Sequence, residues 1–222
     1  MKTFYRILIT FSIFGFMLLQ SCKKDKKTAP EIEQEGTFTD NRDGKTYQWV
    51  RIGNQIWMAE NLRYTGTDIQ HITDSINWQN NSAYDAWSYY DNDPNNDVLY
   101  QWEAAKIACP AGWHLPDINE WNELIQFVEN EGYSGEVAKA LKSTSSWNTG
   151  NGTDAFGFNA KASGYRTPSG LFNFKGYFAN WWTSSFPANY NANTIRFQDF
   201  DMNVEQSSYV RSYGLCIRCI KD

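Results

Sequence analysis

The chain has 222 residues, of which 41% are hydrophobic and 17% aromatic, enough to bury the core of one domain. The formal net charge of −5, with no basic stripe, argues against a nucleic-acid partner. Four cysteines and two histidines restrict the thiol and imidazole chemistry the chain can carry.

Residues 1–21 read as a secretory signal: Lys2 and Arg6 precede an apolar run that ends at Leu19. That run is too short to span a bilayer, which takes ~20 apolar residues. Leu19-Gln-Ser-Cys22 is similar to a bacterial lipobox, in which cleavage leaves Cys22 as a lipidated N-terminus. More than one acyl chain gives stable anchoring. Residues 22–35 then form a charged tether; Lys23, Lys24, Lys26 and Lys27 precede Pro30, and Ile32 is the only large apolar residue. These features predict a membrane partner through lipid on Cys22 and a place in the bacterial cell envelope, most simply as an outer-membrane lipoprotein.

The folded domain is expected over residues 36–222. Residues 36–39 and 45–52 predict a hairpin closed by Asp40-Asn-Arg-Asp-Gly44, and Gly53-Asn54 turns the chain into a strand over 55–59. Trp78, Tyr84, Trp87, Tyr89 and Tyr90 follow, interleaved with Asn77, Gln79, Asn80, Asn81, Asp85 and Asp91. Aromatic faces beside amides suit sugar rings or a protein surface, so Trp78, Tyr84 and Tyr89 are candidate ligand contacts. The plainer reading is core packing, favoured for Trp87 and Tyr90. Asp91, Asp93 and Asp97 offer hard oxygen donors for calcium. As an EF-hand the segment fails, with Pro94 inside it, Asn96 in place of glycine and Trp102 in place of glutamate. An Asx-rich turn explains it better, and no metal or other cofactor is expected.

Residues 117–128 predict the clearest helix. Asp117 is a cap, Glu120 completes a capping box, and Trp121, Leu124, Ile125 and Val128 share one face. A second helix is expected over 135–142, then strands over 156–160, 171–174, 177–184, 194–200 and 213–220. In the loop 186–193, Tyr190 is a further candidate contact, against a plainer reading as a solvated connection.

With Cys22 assigned to lipid, Cys109, Cys216 and Cys219 remain, and an oxidising compartment pairs two of them. Alternation along the last strand puts Leu215, Ile217 and Cys219 on one apolar face and Cys216 with Arg218 on the other. The expected disulfide is therefore Cys109–Cys219, closing a loop of about 110 residues, worth ~4–5 kcal/mol by chain entropy. Cys216-Ile-Arg-Cys219 reads poorly as a redox or zinc motif: no second pair exists, and strand residues three apart point oppositely.

Several motifs occur in order: Asp43-Gly-Lys-Thr-Tyr47, Ile52-Gly-Asn-Gln-Ile-Trp-Met-Ala-Glu-Asn-Leu62, Leu99-Tyr-Gln-Trp-Glu-Ala-Ala105, Cys109-Pro-Ala-Gly-Trp-His-Leu-Pro116, Trp181-Trp-Thr-Ser-Ser185 and Ile217-Arg-Cys219. Together they resemble the Fibrobacter succinogenes major paralogous domain of exported bacterial lipoproteins, from Gly36 to Asp222. Cys216 departs from the small polar residue commoner there, and Gln101 from asparagine. More distantly, residues 114–121 and 214–219 resemble the formylglycine-generating branch of the C-type-lectin-like folds. That resemblance implies an α+β domain of short antiparallel strands, two helices, long loops and neighbouring termini. It also raises a copper-type oxidase, which needs a pair of active thiols that Cys216 alone does not supply. No G-x-S-x-G elbow is present, and His114 and the Asp117/Glu120 pair are explained structurally. The expected function is a non-catalytic, lectin-like module for a glycan or cell-surface protein. A structural or assembly subunit of the envelope is the rival from another class.

Overall fold

Asp40 and Gly44 close the first hairpin. The Asp40 carbonyl accepts from the Gly44 N–H at 2.8 Å, and Gly44 takes φ +71°, which costs glycine little. The Asp40 carboxylate takes a 2.7 Å ion pair from Arg42, which holds its pKa below the usual carboxylate range against the opposing effect of burial.

The computed structural model describes residues 34–186 and 190–222. In chain order the elements are β1 (Glu35–Thr39), β2 (Thr46–Ile52), β3 (Gln55–Met58), β4 (Gln70–His71), α1 (Ser75–Asn80), β5 (Ala86–Tyr89), β6 (Val98–Tyr100) and α2 (Trp102–Ala108). There follow β7 (Trp113–His114), α3 (Ile118–Val128), α4 (Val137–Leu141), β8 (Tyr165–Arg166), β9 (Phe172–Asn173), β10 (Phe178–Trp182), β11 (Asn191–Gln198), β12 (Glu205–Val210) and β13 (Ile220–Lys221). This is an α+β fold in which, among the described residues, the strands pair antiparallel except β4 with β5. The signal segment, Cys22 and nearly all of the tether lie outside the described residues.

The first sheet has the order β1-β2-β3-β13-β7, so the chain's last strand sits beside its earliest ones. Ile220 stands opposite both Trp57 and His114. Just before it, Cys219 is bonded to Cys109 at the end of α2, as the alternation predicts. A second sheet, β10-β11-β12, supplies Trp181, Ile195 and Phe197 to the core.

Two apolar clusters fill the domain. In one, Trp57, Trp121, Phe158, Trp181 and Phe197 meet at tilted and edge-on angles, with centroids 4.8–6.2 Å apart. The other gathers Tyr47, Met58, Tyr100, Trp102 and Trp182. Residues 214–219 run between them. Leu215, Ile217 and Cys219 enter the second cluster and Cys216 the first.

The predicted period of two therefore holds, but the segment is not one strand. Its backbone pairs in turn with Arg166, Tyr100, Asn180 and Trp182, Leu62 and Met58. On the other face of the segment, beside Cys216, Arg218 is fully buried. Residues 156–160 are not a strand either. Gly157 and Asn159 take φ +68° and +54°, which breaks extended geometry, while Phe156 and Phe158 still reach the core.

α3 forms as its sequence asks. Asp117 Oδ1 accepts from the Asn119 and Glu120 N–H groups at 2.7 and 2.8 Å, and Glu120 Oε2 accepts from the Asp117 N–H at 2.7 Å. Trp121, Leu124 and Val128 are buried. α1, α2 and β12 are elements that sequence patterning did not mark.

Candidate functional site

The four aromatic residues singled out from sequence do not form a site. Trp78 is fully buried in α1; its ring lies under the Arg166 guanidinium at 4.1 Å and its Nε1 donates to the Thr167 carbonyl at 3.1 Å. It has no face to offer a ligand, because it fills the space beneath this loop. Tyr84 is half-buried with Arg211 5.0 Å over its ring. Tyr89, also half-buried, sets its edge against Trp87 and His71. Tyr190 is 77% exposed at φ +67°. No ring contact joins any two of the four among the described residues.

The aspartates also separate. Asp91 and Asp93 are exposed, and Asp93 Oδ1 accepts from the Asn95 N–H at 2.9 Å as an Asx turn does. Asp97 instead turns inward. Among the described residues no three His, Cys, Asp or Glu side chains converge as a metal site would require.

Asp97 lies at the floor of a cleft of about 580 Å³. Ser163 Oγ donates to Asp97 Oδ2 at 2.7 Å, and Asn61 Nδ2 lies 3.3 Å from Oδ1 and 3.1 Å from Ser163 Oγ. Behind Asn61, its Oδ1 accepts from Trp181 Nε1 and Arg218 Nη2, both at 2.9 Å. Arg218 also donates to the carbonyls of Met58 and Phe158 and stacks 4.5 Å over the Phe158 ring. Burial pushes its pKa down to about 10, which leaves it charged at neutral pH. Burial likewise raises the Cys216 thiol, which is the free cysteine among the described residues. The cleft floor is thus a fixed network in which an amide links a buried guanidinium to a half-buried carboxylate.

Asn95, Asn96, Asn148 and Ser146 line the walls. Asn96 is oriented by donating to the Tyr90 carbonyl at 3.0 Å. Lys175 hydrogen-bonds Asn96 Oδ1 and lies 5.6 Å over the Tyr90 ring.

Two chain segments carry both this cleft and a cluster of rings. Ser163 lines the cleft and Tyr165, two residues on, is the centre of the cluster; Lys175 and Gly176 line it between Phe174 and Phe178. Tyr165 lies within 5.7–6.4 Å of Phe174, Phe178, Tyr209 and Tyr213. Phe174 is 48% exposed at φ +64°, and the other four rings are half-buried. Arg196 on β11 braces the group, lying 5.3 Å over Phe178 and donating to the Tyr209 hydroxyl at 2.9 Å. Gly164, at φ +69°, is the joint between cleft and rings. A Cβ there would stand 2.5 Å from the Asn173 carbonyl oxygen, so a side chain would push the two segments apart.

The model of the Fibrobacter succinogenes major domain matches residues 50–221. The chain belongs to this family. Comparison with curated proteins and with solved structures finds no match to this chain. The family match begins at Val50, within β2, yet β1 and the start of β2 pair into the same sheet. In this Fibrobacter-type domain the cleft-forming residues, the rings and both bonded cysteines all fall inside the matched span. The rings, spread from β8 to beyond β12, escape sequence reading because no local pattern unites them. The signal that was available is Gly164 between Ser163 and Tyr165, a glycine where two chain segments must approach.

Proposed function

We propose that this protein is a lipid-anchored component of the bacterial cell envelope whose domain binds carbohydrate, without catalysis, at the cleft and the adjoining rings. One observation supports this most: the same two chain segments, residues 163–165 and 174–178, carry both a cleft walled by amides and hydroxyls and a partly exposed aromatic cluster. Sugars present polar edges and apolar ring faces together, and such a surface meets both. Burial and the neighbouring Tyr209 and Tyr213 hold the Tyr165 hydroxyl above its ordinary pKa, keeping it a neutral hydrogen-bonding group.

Binding without turnover is favoured by the neighbours of Ser163. Its hydroxyl is committed to Asp97, while His71 sits on β4 and His114 is held between Glu120 and Asp222. A C-type-lectin-like assignment for the fold accords with the sheet that joins both ends of the domain. The tether that precedes β1 would space that domain from the membrane.

Glycan-array binding of the full chain, repeated with Tyr165→Ala and Phe174→Ala, tests the reading. Retention of one glycan class by the parent and its loss in both variants is expected. Flat arrays, with one envelope protein retained instead, would overturn the sugar preference in favour of an assembly role. Mass measurement of the mature N-terminus tests the anchor; an unmodified chain keeping Met1 would refute it.

A further inference from the structure

The charges around the cleft are unequally committed. Its lining carries three cations, Arg63, Lys161 and Lys175, against two carboxylates, Glu60 and Asp97. Arg63 and Glu60 neutralise each other at 3.0 Å, and Glu60 also accepts from the Gln48 N–H. Both Asp97 oxygens face donors of the floor network, with Arg218 behind it. Asp93, just outside the rim, has one oxygen occupied by Asn95. Lys161 and Lys175 have no such partner: no carboxylate stands within 4 Å of either among the described residues.

Lys175 is also held in place. Its ammonium hydrogen-bonds Asn96 Oδ1 and lies 5.6 Å over the Tyr90 ring. Two exposed lysines that no carboxylate neutralises therefore line one polar cleft, on a chain whose net charge is −5. A point charge of this kind suits carboxylate or sulfate oxygens without demanding a fixed angle.

The geometry points to an acidic saccharide as the ligand: a sugar ring against the Tyr165 cluster, with its carboxylate or sulfate on Lys161 and Lys175. This rests on the carbohydrate reading above and narrows it to a charge class.

Titration calorimetry of the full chain decides it, using oligogalacturonate against its methyl ester of equal length. A sulfated galactan oligosaccharide is run beside its desulfated form to tell the two anions apart. The acidic member of at least one pair is expected to bind roughly three- to tenfold tighter at low salt, since two exposed charge pairs supply about that much. The preference should shrink as salt rises. Lys161→Gln with Lys175→Gln should bring the ratio toward one, and the matching Lys→Arg pair should restore it. Equal affinity within both pairs, or a preference that survives the double glutamine variant, overturns the inference and leaves the carbohydrate reading standing. No binding of any of the four overturns both.

Discussion

Three buried cations hold loops that have little secondary structure of their own. Lys142 donates to the carbonyls of Gln198, Asp199 and Asp201 and lies 4.5 Å over Trp147. Arg166 donates to Ile72, Thr73 and Gly170, and Arg218 to Met58 and Phe158. Each collects backbone oxygens that a strand or helix would otherwise satisfy. Removing one ammonium strands several buried acceptors at once, so Lys142→Met should cost roughly 3–5 kcal/mol. Urea denaturation reads this directly, and a midpoint equal to the parent's would show that the carbonyls find other donors. Cys216 gives a second expectation. Burial pushes its thiol well above the ordinary value, with Asp97 adding to the effect. Iodoacetamide at mildly alkaline pH should leave Cys216 untouched in the native protein and label it in urea. Native labelling, located by peptide mass mapping, would contradict its burial.

The elements that were legible in sequence are those with local causes. Gly44 closes one hairpin, Gly53 turns β2 into β3, and the Asp117/Glu120 box starts α3. By contrast, α2 has no side-chain cap, and its buried face of Trp102, Ala104, Ala105 and Ala108 holds too few large apolar residues to mark a helical period. β12 alternates in burial but through polar residues, so period two left no hydrophobic trace. At α3 the box extends further than its sequence suggested. His114 Nε2 meets Glu120 Oε1 at 2.7 Å and His114 Nδ1 meets Asp222 Oδ1 at 2.6 Å. Burial lowers the imidazole pKa, but the bonds to Asp222 and Glu120 outweigh it and leave it raised above 6.5. The protonated ring is thus favoured by folding. Its stabilisation is fully present below about pH 6.5 and is lost as pH rises through the higher folded value. The site is solvent-screened, so the effect should stay under ~1 kcal/mol. Stability measured from pH 5 to 9 should fall more for the parent than for His114→Gln; parallel curves would remove His114 as the cause.

Across the molecule, the Cys109–Cys219 bond and the β13 pairing place the C-terminal segment between both cores, where its backbone bonds to six residues from separate parts of the chain. The pairing was readable because alternation separates Cys219 from Cys216. These partners were not, because each is remote in sequence and contributes only one or two hydrogen bonds. The same reason hid the ring cluster: sequence crowds its aromatics over residues 78–90, while the surface draws them from β8 to beyond β12. Replacing both bonded cysteines by serine frees a loop of 110 residues and should lower stability by up to ~4–5 kcal/mol. An unchanged melting temperature would mean that packing alone sets the fold of this segment.

Hydrogen–deuterium exchange of the full chain, with and without an oligosaccharide that it retains on an array, tests the location of the binding site most directly. Slowed exchange confined to residues 94–97, 161–165 and 174–178 is expected. Protection centred instead on residues 84–91 or around Tyr190, with those three segments unchanged, would contradict it.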